Sequence, residues 1–257
     1  MIRPALAETT GEQCRILANG DAALVAEFGD RIDLTLNERV LALADGIAAA
    51  AIPGILETVP TFRSLMISFD PSRIAYGALA RRVLVLLADA QGRQHSGRLW
   101  RLPVCYEPEF APDLADAARR AGISPETFVS RHCGMIHHVY MLGFLPGQPY
   151  LGDLPAELAL PRRETPRMKV AAGSVGVASR MTCLFPKETP CGLNIIGRTP
   201  ATLWDHRRRE AALLAPGDRV AFEQVGLEDF RRLMELAARD ELVLTPSDAG
   251  GPAETAR

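Results

Sequence analysis

Residues 143–205 read GFLPGQPYLGDLPAELALPRRETPRMKVAAGSVGVASRMTCLFPKETPCGLNIIGRTPATLWD, and this stretch decides the fold. Proline and glycine recur every few residues, with short apolar runs such as Val175-Gly176-Val177-Ala178 and Leu193-Asn194-Ile195-Ile196 between them. Proline lacks a backbone donor and glycine tolerates positive φ, so long helices are excluded here and short strands joined by fixed turns are expected. Arg162, Arg163, Arg167 and Lys169 gather positive charge just ahead of Ala171-Ala172-Gly173-Ser174. Gly147 and Pro149, with Gly192 and Arg198-Thr199, add bare backbone amides and a forked cation, a combination suited to a carboxylate or phosphate. The same residues equally describe a compact β-barrel whose corners require glycine and proline and whose arginines are solvated at the rim. Residue types alone favour that plainer description.

Composition narrows the classes. At 257 residues the chain suits one large or two modest domains and can bury a core without staples. A net charge of −2 argues against non-specific nucleic-acid binding, which needs a basic face. No apolar run approaches a membrane span and the N-terminus lacks a signal-peptide core, so no membrane association and a cytoplasmic location are expected. Five cysteines (Cys14, Cys105, Cys133, Cys183, Cys191) form an odd set with no C-x-x-C pair, neither a disulfide framework nor a zinc knuckle.

Ahead of the β-rich stretch, residues 1–12 read as a flexible lead-in. Asn19-Gly20-Asp21 between apolar runs predicts a type I′ hairpin. A helix is expected from Thr35–Asn37 to Ala51, with Val40, Leu41, Ala44 and Ile47 inward and Pro53-Gly54 as its stop. Strands at 55–59 and 65–69 follow, then a helix opened by Asp70-Pro71-Ser72 and running to Ala90. The order β-β-α-β-β-α predicts an α+β domain over 13–90, with both helices on one face of a small antiparallel sheet. The polar, glycine-bounded segment 91–97 is the predicted linker. An all-β barrel domain is expected over 98–242. It starts with a strand at 98–105 and carries short helices at 112–121 and after the Ser124-Pro125 cap. A strand at 219–225 and an amphipathic helix at 227–242 close it, and residues 243–257 read as a disordered tail.

Familiar chemistries are absent as motifs. There is no G-x-x-x-x-G-K-[ST] loop and no G-x-G-x-x-G after a strand. Ser174 lacks the glycine two residues earlier that a nucleophile elbow needs. His132, His137 and His138 cluster, yet adjacent histidines on a strand point to opposite faces and no carboxylate sits at a ligand spacing, so no metal is expected. His132 is either a proton-transfer or ligand-bonding group or a satisfied histidine at a helix end.

Taken in order, V-Y-M-L-G-F-L-P-G-x-P-Y-L-G, L-P-R-R-x-T-P-R, A-G-S-V-G-V-A, I-G-R-T-P with L-W-D, and P-G-D-x-V-x-F resemble the KipI / allophanate hydrolase subunit 1 family. Gly20-Asp21-Ala22-Ala23-Leu24-Val25 and Phe62-Arg63-Ser64-Leu65 fit as well, so the resemblance runs from about Cys14 to Val225. It implies a cyclophilin-like barrel as the second domain. It also implies a partner of KipA / allophanate hydrolase subunit 2 type and, in 5-oxoprolinases, a third, lactam-cleaving subunit, the assembly opening 5-oxoproline to glutamate with ATP. Alternatives within the family are a urea or amide carboxyltransferase half, which would need biotin, and a KipI-like inhibitor of a sensor histidine kinase.

By the same resemblance His132 is the catalytic candidate. The substrate-binding candidates are Phe144, Pro146, Gly147, Gln148, Tyr150, Arg162, Arg167, Gly173, Ser174, Thr182, Arg198 and Thr199, with Gly143, Pro149, Pro161 and Pro166 in the same motifs. Gln148, His137, Ser179-Arg180-Met181, Cys183, Cys191 and Leu193 depart from the family pattern, which leaves open an altered substrate or a lost activity. The expectation is a cationic, amide-lined cup, formed from distant turns and completed by a neighbouring subunit, that stabilises developing oxyanion or phosphoryl charge.

Overall fold

The structure, a computed structural model, describes residues 14–89, 95 and 97–247. The predicted lead-in, and the predicted linker apart from His95 and Gly97, lie outside those residues. The chain divides into two compact units, Met1–His95 and Ser96–Arg257.

In the first unit the elements are β1 (Cys14–Ala18), β2 (Ala23–Phe28), α1 (Leu34–Ala50), β3 (Ile55–Pro60), β4 (Ser64–Phe69) and α2 (Tyr76–Asp89). The strands form an antiparallel sheet in the order β1-β2-β4-β3. Alternation sets which side chains are inside: Leu24, Ala26 and Phe28 from β2 and Leu65, Ile67 and Phe69 from β4 are buried with Val40, Leu43, Ile47, Leu79 and Val83 from the helices. Asp33 caps α1 by accepting from the Leu36 amide at 3.3 Å. Two local expectations are corrected. Only Gly20 in the β1–β2 loop has positive φ (67°), and register Ala18↔Leu24 leaves a loop too long for a two-residue type I′ turn. Asp70 does not open a helix. Its carboxylate accepts from the Ser72 amide (2.9 Å) and hydroxyl (2.7 Å), closing a turn, and α2 begins at Tyr76.

The second unit contains β5 (Leu99–Val104), α3 (Leu114–Ala121), α4 (Pro125–Cys133), β6 (Ile136–Leu142), β7 (Pro149–Gly152), β8 (Arg167–Val170), β9 (Ser174–Ala178), β10 (Met181–Leu184), β11 (Thr189–Cys191), β12 (Asn194–Arg198), β13 (Arg219–Gln224) and α5 (Leu227–Ala238). Seven strands run β12-β9-β10-β7-β6-β13-β5, and β8 and β11 form a separate pair. The two edge strands of the large sheet meet: Cys105 and Arg198 exchange two backbone hydrogen bonds of 2.9 Å, curling the sheet into a barrel. This is the α+β plus barrel architecture expected from the sequence.

Alternation sorts the barrel strands into two faces. Val175, Val177, Leu184, Ile196 and Leu151 belong to the large core, with Leu102, Val104, Val220 and Phe222 from the other side. Cys183, Phe185 and Ile195 point the other way, into a small apolar layer roofed by Val170 of β8 and Cys191 of β11. Asp218, 2 % exposed, ties the start of β5 to that of β13. It accepts from Arg98 Nε (3.1 Å) and Nη2 (2.9 Å), Trp100 Nε1 (2.9 Å) and the amides of Arg98 and Ala215. Within the predicted tail, Ser247 exchanges backbone hydrogen bonds with Leu99 (2.8 and 3.2 Å).

Candidate functional site

Strand register brings several of the sequence-selected residues to one face. Arg198 of β12 pairs with Ser174 of β9, and Tyr150 of β7 pairs with Cys183 of β10. Partners across a sheet share a face, so Ser174, Arg198 and Tyr150 lie on the side of the small apolar layer. The Gly173 turn is locked to the residue after β12. The Thr199 amide donates to the Gly173 carbonyl at 2.8 Å, and a Cβ on Gly173 (φ 80°) would stand 2.2 Å from the Thr199 carbonyl oxygen. Only glycine fits there. Thr199 is itself buried, and its hydroxyl accepts from the Ala201 amide.

Arg198 is the cation of this cluster. Its Nε donates to the Ala172 carbonyl at 2.8 Å and its guanidinium carbon lies 5.9 Å from the Phe110 ring centre. Among the described residues no carboxylate forms an ion pair with it. Burial pulls its pKa below the usual arginine value, partly offset by Glu109. The amides beside it are committed, Gly173 N–H to the Phe185 carbonyl (2.7 Å) and Ser174 N–H to the Ala171 carbonyl (3.2 Å), so the expected amide lining is not found there and the half-buried guanidinium is the group equipped to bind an anionic oxygen.

The other expected cations are arranged differently. Arg163 and Arg167 converge on Asp113, a carboxylate only 4 % exposed: Arg163 Nη1 reaches Oδ1 at 2.6 Å, and Arg167 reaches Oδ2 and Oδ1 at 2.5 and 2.7 Å. The Ile195 amide donates to the same carboxylate at 2.7 Å. Arg167, expected to contact substrate, is held in this structure by the Asp113 carboxylate. Lys169 pairs with Glu188 at 2.8 Å. Arg162 is exposed and makes no ion pair among the described residues, and its charge partly offsets the burial that raises the pKa of Tyr150 and the Cys183 and Cys191 thiols. Of the expected cationic cup, two guanidinium groups, Arg162 and Arg198, are left without a carboxylate among the described residues.

His132 is not among the groups on that face. It is fully buried at the end of α4, stacked on Phe222 at 4.8 Å. Nδ1 lies 2.9 Å from the Tyr106 hydroxyl and Nε2 3.2 Å from the Thr182 hydroxyl. Thr182 is also fully buried, and it precedes Cys183 on β10, so it points to the opposite face from Tyr150. Burial, with His137 nearby, drives the His132 pKa well below the imidazole norm, and burial lowers His137 to about 4. Both partners are hydroxyls, able to donate or to accept, so each ring nitrogen of the neutral imidazole has a hydrogen-bond partner. The structure places His132 and Thr182 in a hydrogen-bonded chain in the barrel interior, both fully buried and away from the face that carries Arg198.

The β6–β7 loop completes the set. Phe144 is 72 % exposed with φ 67°, a left-handed conformation that costs a non-glycine residue energy. Pro146 is exposed. Gly147 (φ 74°) packs on the Leu203 carbonyl and Trp204, and Gln148 is buried with no partner for Oε1. Gly143 adjoins the Tyr150 ring, while Pro149 is buried and Pro161 and Pro166 are exposed on the arginine loop. Asp113 and Phe110 had no motif to flag them. Asp113 precedes α3, where an aspartate reads as a cap, yet its side chain caps nothing and instead meets residues 50 and 54 positions later.

Comparison with known proteins places this geometry. Residues 14–214 match the family model "Carboxyltransferase domain, subdomain C and D". The chain is 36 % identical over 227 residues to the 5-oxoprolinase B subunit of Bacillus subtilis, covering 84 % of this chain and 95 % of the relative. It is 34 % identical over 212 residues to that of Escherichia coli O157:H7, covering 82 % and 96 %. Among solved structures, TTHA0988 superposes with a TM-score of 0.73 at 36 % identity over 79 % of this chain, which spans 40 % of that longer protein. The urea amidolyase of K. lactis shares the fold at a TM-score of 0.77 and 21 % identity, over 96 % of this chain and 17 % of that one. The chain belongs to the carboxyltransferase-domain family of subdomains C and D, and the B subunits of 5-oxoprolinases are among its relatives.

Proposed function

We propose that this chain is the B subunit of an ATP-dependent 5-oxoprolinase, inactive alone, which works in the cytoplasm with a KipA-like partner and a lactam-cleaving third subunit. The observation that carries the proposal is Arg198. It is a half-buried guanidinium without a carboxylate partner among the described residues, set against the Gly173-Ser174 turn, in a chain that spans nearly the whole of its 5-oxoprolinase relatives. 5-Oxoproline offers a carboxylate and a lactam carbonyl, and opening the ring develops negative charge on the carbonyl oxygen. The Arg198 guanidinium supplies donors for such an oxygen, with Tyr150 on the same face of the sheet.

The described residues do not fit a triphosphate by themselves. Arg163 and Arg167 share the Asp113 carboxylate and Lys169 pairs with Glu188, so these three side chains are already engaged and do not form a cluster of unpaired cations. ATP is therefore assigned to the assembly and not to this chain alone.

The test combines this chain with its two partner subunits and follows glutamate released from 5-oxoproline with ATP. Turnover by the full set and none by any pair is expected. Arg198→Met should lower kcat/KM by on the order of a hundredfold, as for loss of a charge-assisted contact in the transition state. No turnover by the complete assembly would remove the proposal. Turnover of urea that depends on a biotinylated carrier would replace it with the carboxyltransferase alternative.

A further inference from the structure

A cleft of about 360 Å³ opens in the second unit between the segment after β12 and the segment after α5. It is separate from the Arg198 cluster. Its floor is apolar, with Trp100, Leu213, Leu242 and Leu244, and its rim carries charges of both signs. Most of the charge here is already matched. Arg98 is held bidentate by Asp218, and Arg207 takes both Asp205 (2.9 Å) and Asp240 (2.8 Å).

Two rim groups remain loosely held. Arg208 donates one Nη1 hydrogen bond to the Thr202 carbonyl at 2.9 Å, and its nearest carboxylate is 3.9 Å away on Asp205. Glu210 is 76 % exposed, and its ion pair with Arg98 is open at 3.7 Å. The Thr202 hydroxyl, also on the cleft wall, makes no hydrogen bond among the described residues. One available cation, one available anion and one hydroxyl therefore face a single apolar floor.

We propose that this cleft binds a free α-amino acid with an apolar side chain. The α-carboxylate is taken by Arg208 and the Thr202 hydroxyl, the α-ammonium by Glu210, and the side chain lies on Trp100 and Leu213. A carboxylate paired with a guanidinium and an ammonium paired with a carboxylate are the two strong contacts that an amino acid head group offers. The apolar floor adds the hydrophobic term and the mixed-sign rim excludes ligands of a single charge. The site does not depend on the proposed lactam chemistry and stands or fails apart from it.

Isothermal titration calorimetry of the full chain with L-leucine, 4-methylpentanoate and isopentylamine tests it, since the two analogues each lack one head group. L-Leucine should bind saturably at millimolar concentrations or below, and each analogue at least about tenfold more weakly, the loss of one charged hydrogen bond. Arg208→Gln and Glu210→Gln, both at solvent-accessible positions, should each weaken L-leucine by a similar factor while leaving the circular dichroism spectrum unchanged. Absence of saturable L-leucine binding by the folded wild type, equal binding of either analogue, or unchanged affinity in both variants would overturn the proposal.

Discussion

Replacing Asp113 by asparagine isolates the electrostatic clamp beneath the arginine loop. The substitution conserves volume, so packing around the 4 %-exposed side chain is kept while the charge is removed and one acceptor is exchanged for a donor. Three guanidinium contacts of 2.5 to 2.7 Å and the Ile195 amide at 2.7 Å then face a neutral group, and one of its two oxygens has become a donor opposed to other donors. Breaking a buried pair from one side costs about 3–5 kcal/mol. The Arg163 and Arg167 side chains retain 30 % and 28 % exposure, so water compensates part of that, and roughly 2–4 kcal/mol is expected. Urea unfolding followed by tryptophan fluorescence measures it directly. A cycle with Arg167→Met should return a coupling above about 1 kcal/mol, because the two side chains are in contact. A midpoint shift equivalent to less than about 1 kcal/mol, or strictly additive variants, would refute the assignment of Asp113 as the hub of this loop.

Acidification should destabilise the fold through its buried histidines. His137 is held to about 4 and His132 well below its norm, so the unfolded chain takes up these protons first as pH falls. Stability is complete above about pH 6.5 and lost toward pH 4, by roughly 3 kcal/mol from His137 alone; a urea midpoint that does not move between pH 7 and 4.5 would count against this. Thr182→Val removes the hydrogen-bond partner of the buried His132 Nε2 and should cost about 1–3 kcal/mol in the same assay, with a neutral result showing the histidine chain to be energetically idle. Phe144→Gly relieves a left-handed backbone at an exposed position, so it should raise stability by about 1 kcal/mol while lowering 5-oxoproline turnover. A loss of stability would mean that the Phe144 ring packs in a way its exposure does not show.

What could be read from the sequence was what depends on neighbours in the chain. Alternation in Leu65–Phe69, the Ser124-Pro125 cap and the proline-glycine rhythm of 143–205 are local signals, and the corresponding strands and helix follow them. The type I′ hairpin failed because Asn19 does not adopt the positive φ such a turn requires, leaving Gly20 alone to do so. At the candidate site, the Gly173-Ser174 turn and Arg198-Thr199 were recognisable and do come together. What composition could not show was the division of labour among the arginines. Arg162, Arg163, Arg167 and Arg198 look alike as residue types, and only the three-dimensional position of Asp113 shows that two of them are ion-paired. The surroundings of His132 were hidden for a similar reason, since a motif histidine does not announce that Tyr106 and Thr182 partner both of its nitrogens.

The seam of the barrel gives position 198 a double life. Its main chain stitches the first strand of the cylinder to the last, a duty any residue with an amide hydrogen can discharge, whereas its side chain alone carries the charge beside the glycine turn. Exchanging the head group there would leave the closure of the cylinder to the main chain and cost only the tether from the side chain to the Ala172 carbonyl, so charge at this spot can change at little expense to the barrel.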